Sequence, residues 1–130
     1  MRPAHMLFAA ALALAACSSP TAPDAVGTWG GTEASLTLSL AGGTVGYACG
    51  AGRIGAGWTL DAAGRFAATG VHYFGGGPVP APGPTPHPAR YSGVVSGDRF
   101  VFTVTLVETG QTLGPFHMVR GGPPVDLLCL

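Results

Sequence analysis

The chain alternates apolar and polar residues from Val26 almost to its end, and glycine-rich turns interrupt the pattern at regular intervals. A period of two is typical of strands that bury one face. The pattern predicts eight strands and no helix after position 25, so the expected class is all-β. The predicted strands are residues 27–31, 34–40, 44–49, 53–60, 65–74, 89–95, 100–107 and 112–120.

Short turns join most of these strands, which therefore should pair as antiparallel neighbours. Eight strands are enough to close a barrel around side chains or one small ligand, and closure removes exposed edges. The sequence predicts an eight-stranded antiparallel up-and-down β-barrel over residues 26–130, with a two-sheet β-sandwich as the alternative.

Several aromatic residues have the parity of inward-facing positions. They form either an ordinary core or the lining of a pocket. Other inward positions carry small residues, which favours some unfilled volume. These residues are Ala56, Ala68 and Gly93. The candidate pocket-lining residues are Tyr47, Trp58, Phe66, Phe100 and Phe102.

Residues 75–88 differ from the rest, because they contain four Gly and six Pro in fourteen positions. Proline has no backbone donor, so this segment is predicted to stay outside the sheet as an extended surface loop.

The first residues form a targeting segment. Eleven apolar residues, 6–16, follow Arg2, whereas a membrane-spanning helix needs about 20. The sequence Leu14-Ala15-Ala16-Cys17 resembles a bacterial lipobox. That resemblance implies removal of residues 1–16, acylation of Cys17 and a short lipidated tether over residues 17–25. Several acyl chains on one residue give stable anchoring.

Ser18 after the cysteine implies, by the same resemblance, the outer membrane. The domain is then expected to face the periplasm, with the cell surface as the other option. An ordinary secretory signal that leaves Cys17 as a free thiol is the alternative to the lipid anchor.

Two further cysteines, Cys49 and Cys129, remain for the domain. The periplasm is oxidising, so we expect a disulfide between them, worth on the order of 4 kcal/mol by chain entropy. Two separate buried thiols are the alternative.

Composition and motifs argue against several functions. The chain has six Lys+Arg and six Asp+Glu and no net charge, so no basic patch is available for nucleic acid. It lacks a Gly-x-Ser-x-Gly elbow, and its acidic residues at 61, 98 and 108 fall in predicted turns. We expect no enzymatic activity, metal or cofactor. The histidines of the domain, whose spacing matches no zinc motif, are His72, His87 and His117.

The triplet Gly27-Thr28-Trp29 resembles the opening of lipocalins and avidins. In those barrels the Trp lies at the base and a basic residue of the last strand covers its ring. The resemblance implies a cation–π pair between Trp29 and Arg120, worth about 0.5–2 kcal/mol. It concerns architecture and implies no particular ligand.

A second resemblance is to membrane-bound inhibitors of C-type lysozyme, on Tyr47-Ala48-Cys49, Cys129 and Pro88-Ala89-Arg90-Tyr91. The Ser-Gly pair of the inhibitory segment is replaced by His87-Pro88. The expected function is a non-enzymatic binding module on a lipid anchor, for a small apolar ligand in the barrel or at its mouth. The alternatives are a protein-binding inhibitor and a purely structural envelope lipoprotein.

Overall fold

The computed structural model describes residues 20–47, 49–75 and 83–123. Within them a short 3-10 helix, Ala22–Ala25, precedes nine β-strands. The strands are β1 (Gly27–Gly30), β2 (Ala34–Ser39), β3 (Gly42–Tyr47), β4 (Gly50–Ile54), β5 (Thr59–Leu60), β6 (Arg65–Phe74), β7 (His87–Ser96), β8 (Arg99–Leu106) and β9 (Thr112–Arg120).

The strands form one antiparallel sheet that closes on itself. β1 pairs with β9, and β4 pairs with β6, so eight strands complete the ring while β5 adds to the edge of β6. The predicted barrel is confirmed, and the sandwich alternative is wrong because a single sheet encloses a single core. The β1–β9 pairing is short, Trp29 with Arg120 and Gly30 with Val119.

The inward faces of the long strands are apolar, as the alternation predicts, except at His72 of β6. β8 is the clearest case, with Phe100, Phe102, Val104 and Leu106 all buried. Ala25 of the 3-10 helix is also part of the core. The chain therefore packs against the barrel before position 26, where the domain was predicted to start.

Several predicted bounds need correction. The single strand expected over 53–60 is two short strands separated by a turn, and Ala56 in that turn is exposed. Leu40 is 62% exposed because β2 ends at Ser39 and the chain turns there. Cys49 lies in the turn between β3 and β4, with φ of +62°, rather than in a strand.

The proline-rich segment also ends earlier than predicted. β7 begins at His87, and Pro88 pairs with Val71 within the sheet. The Pro88 carbonyl accepts a hydrogen bond from the Val107 amide at 3.0 Å. A proline can occupy a strand position where its missing donor is not needed, and its carbonyl still bonds the neighbouring strand. Residues 76–82 of the segment lie outside the described residues.

Candidate functional site

We call the end of the barrel where β1 begins and β9 ends the base, and the end where β6 ends and β7 begins the mouth. At the base, the Arg120 guanidinium lies over the Trp29 ring, with Cζ 4.3 Å from the ring centroid. This is the geometry that the resemblance to lipocalins and avidins implies. The Trp29 indole donates to the Ala25 carbonyl at 3.0 Å.

Arg120 also holds the chain that leads into the barrel. Its Nη1 donates to the Val26 carbonyl at 3.1 Å, its Nη2 donates to the Asp24 carbonyl, and its Nε lies 3.6 Å from an Asp98 carboxylate oxygen. One side chain therefore covers the core aromatic residue and fixes the entry segment. The base is a sealed end of the barrel.

The five predicted pocket-lining residues are all buried, and they pack against one another. Trp58 and Phe66 have ring centroids 5.5 Å apart, and Phe66 and Phe100 are at 5.1 Å. Tyr47 lies 6.0 Å from Phe102. None of the five lines any of three cavities found among the described residues. The described aromatic side chains occupy the middle of the barrel themselves.

The largest of these cavities, about 560 Å³, is a groove on the outer face of β1, β2 and β3. The hydroxyls of Thr28, Ser35, Thr37 and Thr44 and the segment 121–123 line it. It contains no buried ionisable group, and its polar surface consists mainly of threonine and serine side chains of the kind found on any solvated sheet.

A polar group lies inside the barrel near the mouth. His72 projects inward from β6 and is 2% exposed, the one polar residue among the described buried set. Its Nδ1 is 2.6 Å from the Tyr47 hydroxyl. The Tyr47 hydroxyl is 3.3 Å from that of Tyr91, which donates to the Val71 carbonyl at 2.8 Å. These bonds form a chain that crosses the core.

His72 Nε2 is buried and has no hydrogen-bond partner among the described residues. Such atoms are rare in folded proteins, since an unmade buried hydrogen bond costs roughly 1–3 kcal/mol. Burial lowers the pKa of His72, and the neighbouring positive charge that His87 can carry lowers it further. The neutral ring is therefore the favoured form. Burial also raises the pKa of both Tyr47 and Tyr91.

Glycines on β4 create the space for these rings. Gly52 pairs with His72, and Gly50 pairs with Phe74. A methyl group on Gly52 would overlap the Tyr91 hydroxyl, and one on Gly50 would lie 2.7 Å from His72 Cε1. The chain of hydrogen bonds can cross the core because β4 has no side chains at these two positions.

Phe74 and His87 form the rim of the mouth above His72. The Phe74 ring meets the His72 ring edge to face, with centroids 4.5 Å apart, and is itself 56% exposed. His87, the β7 partner of His72, lies 5.0 Å from the Phe74 ring. Its Nδ1 is 3.1 Å from a Glu108 carboxylate oxygen, which orients the imidazole.

This cluster was missed by the sequence reasoning. The alternation in β6 is clear once Phe66, Ala68, His72 and Phe74 are read as one face, but a histidine in such a series is easily assigned to solvent. His117 does face solvent, as expected from its buried neighbours Phe116 and Met118. The described residues contain no group of three or more His, Cys, Asp or Glu placed to hold a metal ion.

The segment that resembles the lysozyme-inhibitor motif is not a loop. Pro88, Ala89, Arg90 and Tyr91 lie within β7, between β6 and β8. Tyr91 is 1% exposed and belongs to the core, as does Ala89, so of these four residues Pro88 and Arg90 are the exposed ones. The two tyrosines of the quoted motifs are core residues here.

Of the three cysteines, Cys49 is described, while Cys17 and Cys129 lie outside the described residues. The Cys49–Cys129 disulfide and the acylation of Cys17 therefore stay predictions.

No family model matches the chain, and searches of curated proteins and of solved structures gave no match. Within the described ranges, no helix has the length and apolar character to cross a membrane.

Proposed function

We propose that this chain is a non-enzymatic binding protein, held at the outer membrane by lipid on Cys17, that takes a small ligand at the mouth of its barrel. The observation that carries the ligand site is the buried Nε2 of His72, which has no hydrogen-bond partner in the described part of the chain. The anchor rests on the lipobox resemblance of Leu14-Ala15-Ala16-Cys17. The lipocalin and avidin resemblance supports a binding barrel of this size.

The mouth is favoured over the interior as the place of binding. The five aromatic residues predicted to line an interior pocket pack against one another instead. At the mouth, by contrast, a half-exposed phenylalanine packs on the imidazole ring that carries the buried polar atom. A ligand that replaces Phe74 there would reach His72 without opening the core.

The position of the tether is consistent with a ligand site directed away from the membrane. Pro20 lies beside Gly64 and borders a cavity with Gly97 and Arg120, all at the base. Pro20 follows Cys17 by three positions in the chain, a reach of at most about 11 Å. A lipid on Cys17 would therefore hold the base against the bilayer and present the mouth to its surroundings.

Native mass spectrometry tests the ligand proposal. The full chain, purified in detergent, is incubated with an extract of the envelope and compared with the untreated protein. We expect an added mass on the wild type and on His117→Gln, a control that changes an outward-facing histidine, but not on His72→Gln. Identical spectra for treated and untreated wild type would leave a structural envelope lipoprotein as the better reading.

Fractionation tests the anchor. Cys17→Ala should move the protein from the membrane fraction to the soluble fraction and abolish incorporation of labelled palmitate. Cys49→Ala serves as the control for loss of a thiol elsewhere, and it should remain membrane-bound. A wild-type chain found entirely in the soluble fraction would favour the ordinary secretory signal.

A further inference from the structure

The hydrogen-bond chain in the core determines which nitrogen of His72 carries its proton. The Val71 carbonyl can only accept, so the Tyr91 hydroxyl uses its single hydrogen in the 2.8 Å hydrogen bond to that carbonyl. In the contact between the two phenols, at 3.3 Å, Tyr47 must then be the donor. Tyr47 has no second hydrogen, so His72 Nδ1–H donates to the Tyr47 oxygen across 2.6 Å.

The reverse arrangement makes one hydrogen bond fewer, although the 2.6 Å separation of the Tyr47 oxygen and His72 Nδ1 is short for an N–H donor. If Tyr47 donated to His72 Nδ1, the two phenol oxygens would face each other with no hydrogen between them, and a buried Nε2–H would lack an acceptor.

His72 Nε2 is therefore an unprotonated acceptor. Burial keeps the ring from gaining a second proton, because a charged imidazolium would have to be desolvated. The described groups around the His72 ring are aromatic or restrained. Phe74 packs edge to face on the ring, Gly50 offers backbone, and His87 is engaged with Glu108. Phe74, at the end of β6 and half exposed, is the side chain that can turn outward to admit a ligand.

We infer that the ligand of the proposed mouth site is a small planar aromatic molecule that carries an N–H or O–H donor. Its ring replaces that of Phe74 against His72, and its donor bonds to His72 Nε2. This inference rests on the proposed function and adds the chemical class of the ligand. A purely apolar ligand would leave the acceptor unpaired, which a site built around a buried polar atom disfavours.

Nuclear magnetic resonance on the full chain tests the proton assignment without any variant. Long-range nitrogen–hydrogen correlations distinguish the two neutral forms of an imidazole. We expect His72 to carry its hydrogen on Nδ1. A spectrum with the hydrogen on Nε2 would overturn the inference.

Phenol and anisole provide the matched ligand pair, because they have the same ring and anisole lacks the hydroxyl hydrogen. Titrations followed by chemical shifts at the mouth should give phenol about a tenfold lower Kd, the value of one hydrogen bond to a buried acceptor. Equal affinities would refute the ligand class and leave the proposed mouth site intact. Binding of neither probe at the mouth would count against the site itself.

Tyr91→Phe is the decisive variant. Without the Tyr91 hydroxyl, Tyr47 is free to donate to His72 Nδ1, so the ring hydrogen should move to Nε2 and the preference for phenol should disappear. Tyr73→Phe, which removes a hydroxyl on the outward face of β6, should keep both the wild-type proton position and the tenfold preference. A Tyr91→Phe protein that still prefers phenol would contradict the inference.

Discussion

Replacing Gly52 with alanine tests how closely the core is built around its two buried tyrosines. A methyl group at this position would overlap the Tyr91 hydroxyl and lie 3.0 Å from both Tyr91 Cζ and Val45 Cγ1. The Tyr91 ring is 1% exposed and has the Tyr47 hydroxyl and the Val71 carbonyl as its polar partners. It cannot move away without breaking these hydrogen bonds.

The expected cost follows from these contacts. Overpacking of a closed core costs about 1–3 kcal/mol. Displacement of the Tyr91 hydroxyl adds about 1 kcal/mol for a lost buried hydrogen bond. Gly52→Ala should therefore lower the free energy of unfolding by about 2–4 kcal/mol, measured by equilibrium urea denaturation with a constant slope.

A double-mutant cycle identifies the cause. In a Tyr91→Phe background the overlapping oxygen is gone, so Gly52→Ala should cost about 1–2 kcal/mol less than it does in the wild type. Gly57→Ala is the control, because a methyl group there meets nothing within 4 Å. Its stability should be unchanged or raised by up to about 1 kcal/mol. Additive effects in the cycle, or a neutral Gly52→Ala, would refute this account of the core.

Three further predictions concern the base, the buried histidine and the disulfide. Arg120→Ala should lower the free energy of unfolding by about 1–2 kcal/mol, because it removes both the cation–π contact and the hydrogen bonds to the entry segment. It should also increase the quenching of Trp29 fluorescence, and unchanged quenching would contradict this account. The pKa of His72 in the folded protein lies below its ordinary value of 6.5, so the unfolded chain binds a proton there more readily. The free energy of unfolding should therefore fall as the pH drops through and below about 6.5. His72→Gln should reduce this dependence of stability on pH. Peptide mapping without reduction should recover Cys49 linked to Cys129, and Cys129→Ser should cost on the order of 2–4 kcal/mol, whereas separate thiols in the mapped wild type would exclude the pair.

Much of the barrel could be predicted from the chain alone. The bounds of β6 and β9 agree with the predicted 65–74 and 112–120, because clear turns limit both strands. The prediction failed where backbone geometry departed from the side-chain pattern. The strand expected over 53–60 bends at Gly55–Ala56–Gly57, where residues with little side chain gave a false continuation of the alternation.

The site was less predictable than the fold, and the reason is the partner strand. Alternation indicates which face of a strand a residue occupies, but it does not indicate what lies opposite. His72 is a core residue because Gly52 stands across from it on β4, and because Tyr47 reaches it from β3 and contacts Tyr91 of β7 in turn. These partners come from positions 19 to 25 residues away along the chain.

The sequence by itself therefore determined the all-β class and most of the inward faces, since both depend on local periodicity, and its resemblance to lipocalins and avidins indicated the Trp29–Arg120 pair. The tertiary structure alone decided that the predicted pocket residues fill the core, that a polar chain crosses it, and that one imidazole nitrogen lacks a partner within the described ranges. Those features depend on the cross-strand register, which hydrogen-bonded pairing sets only when the sheet closes.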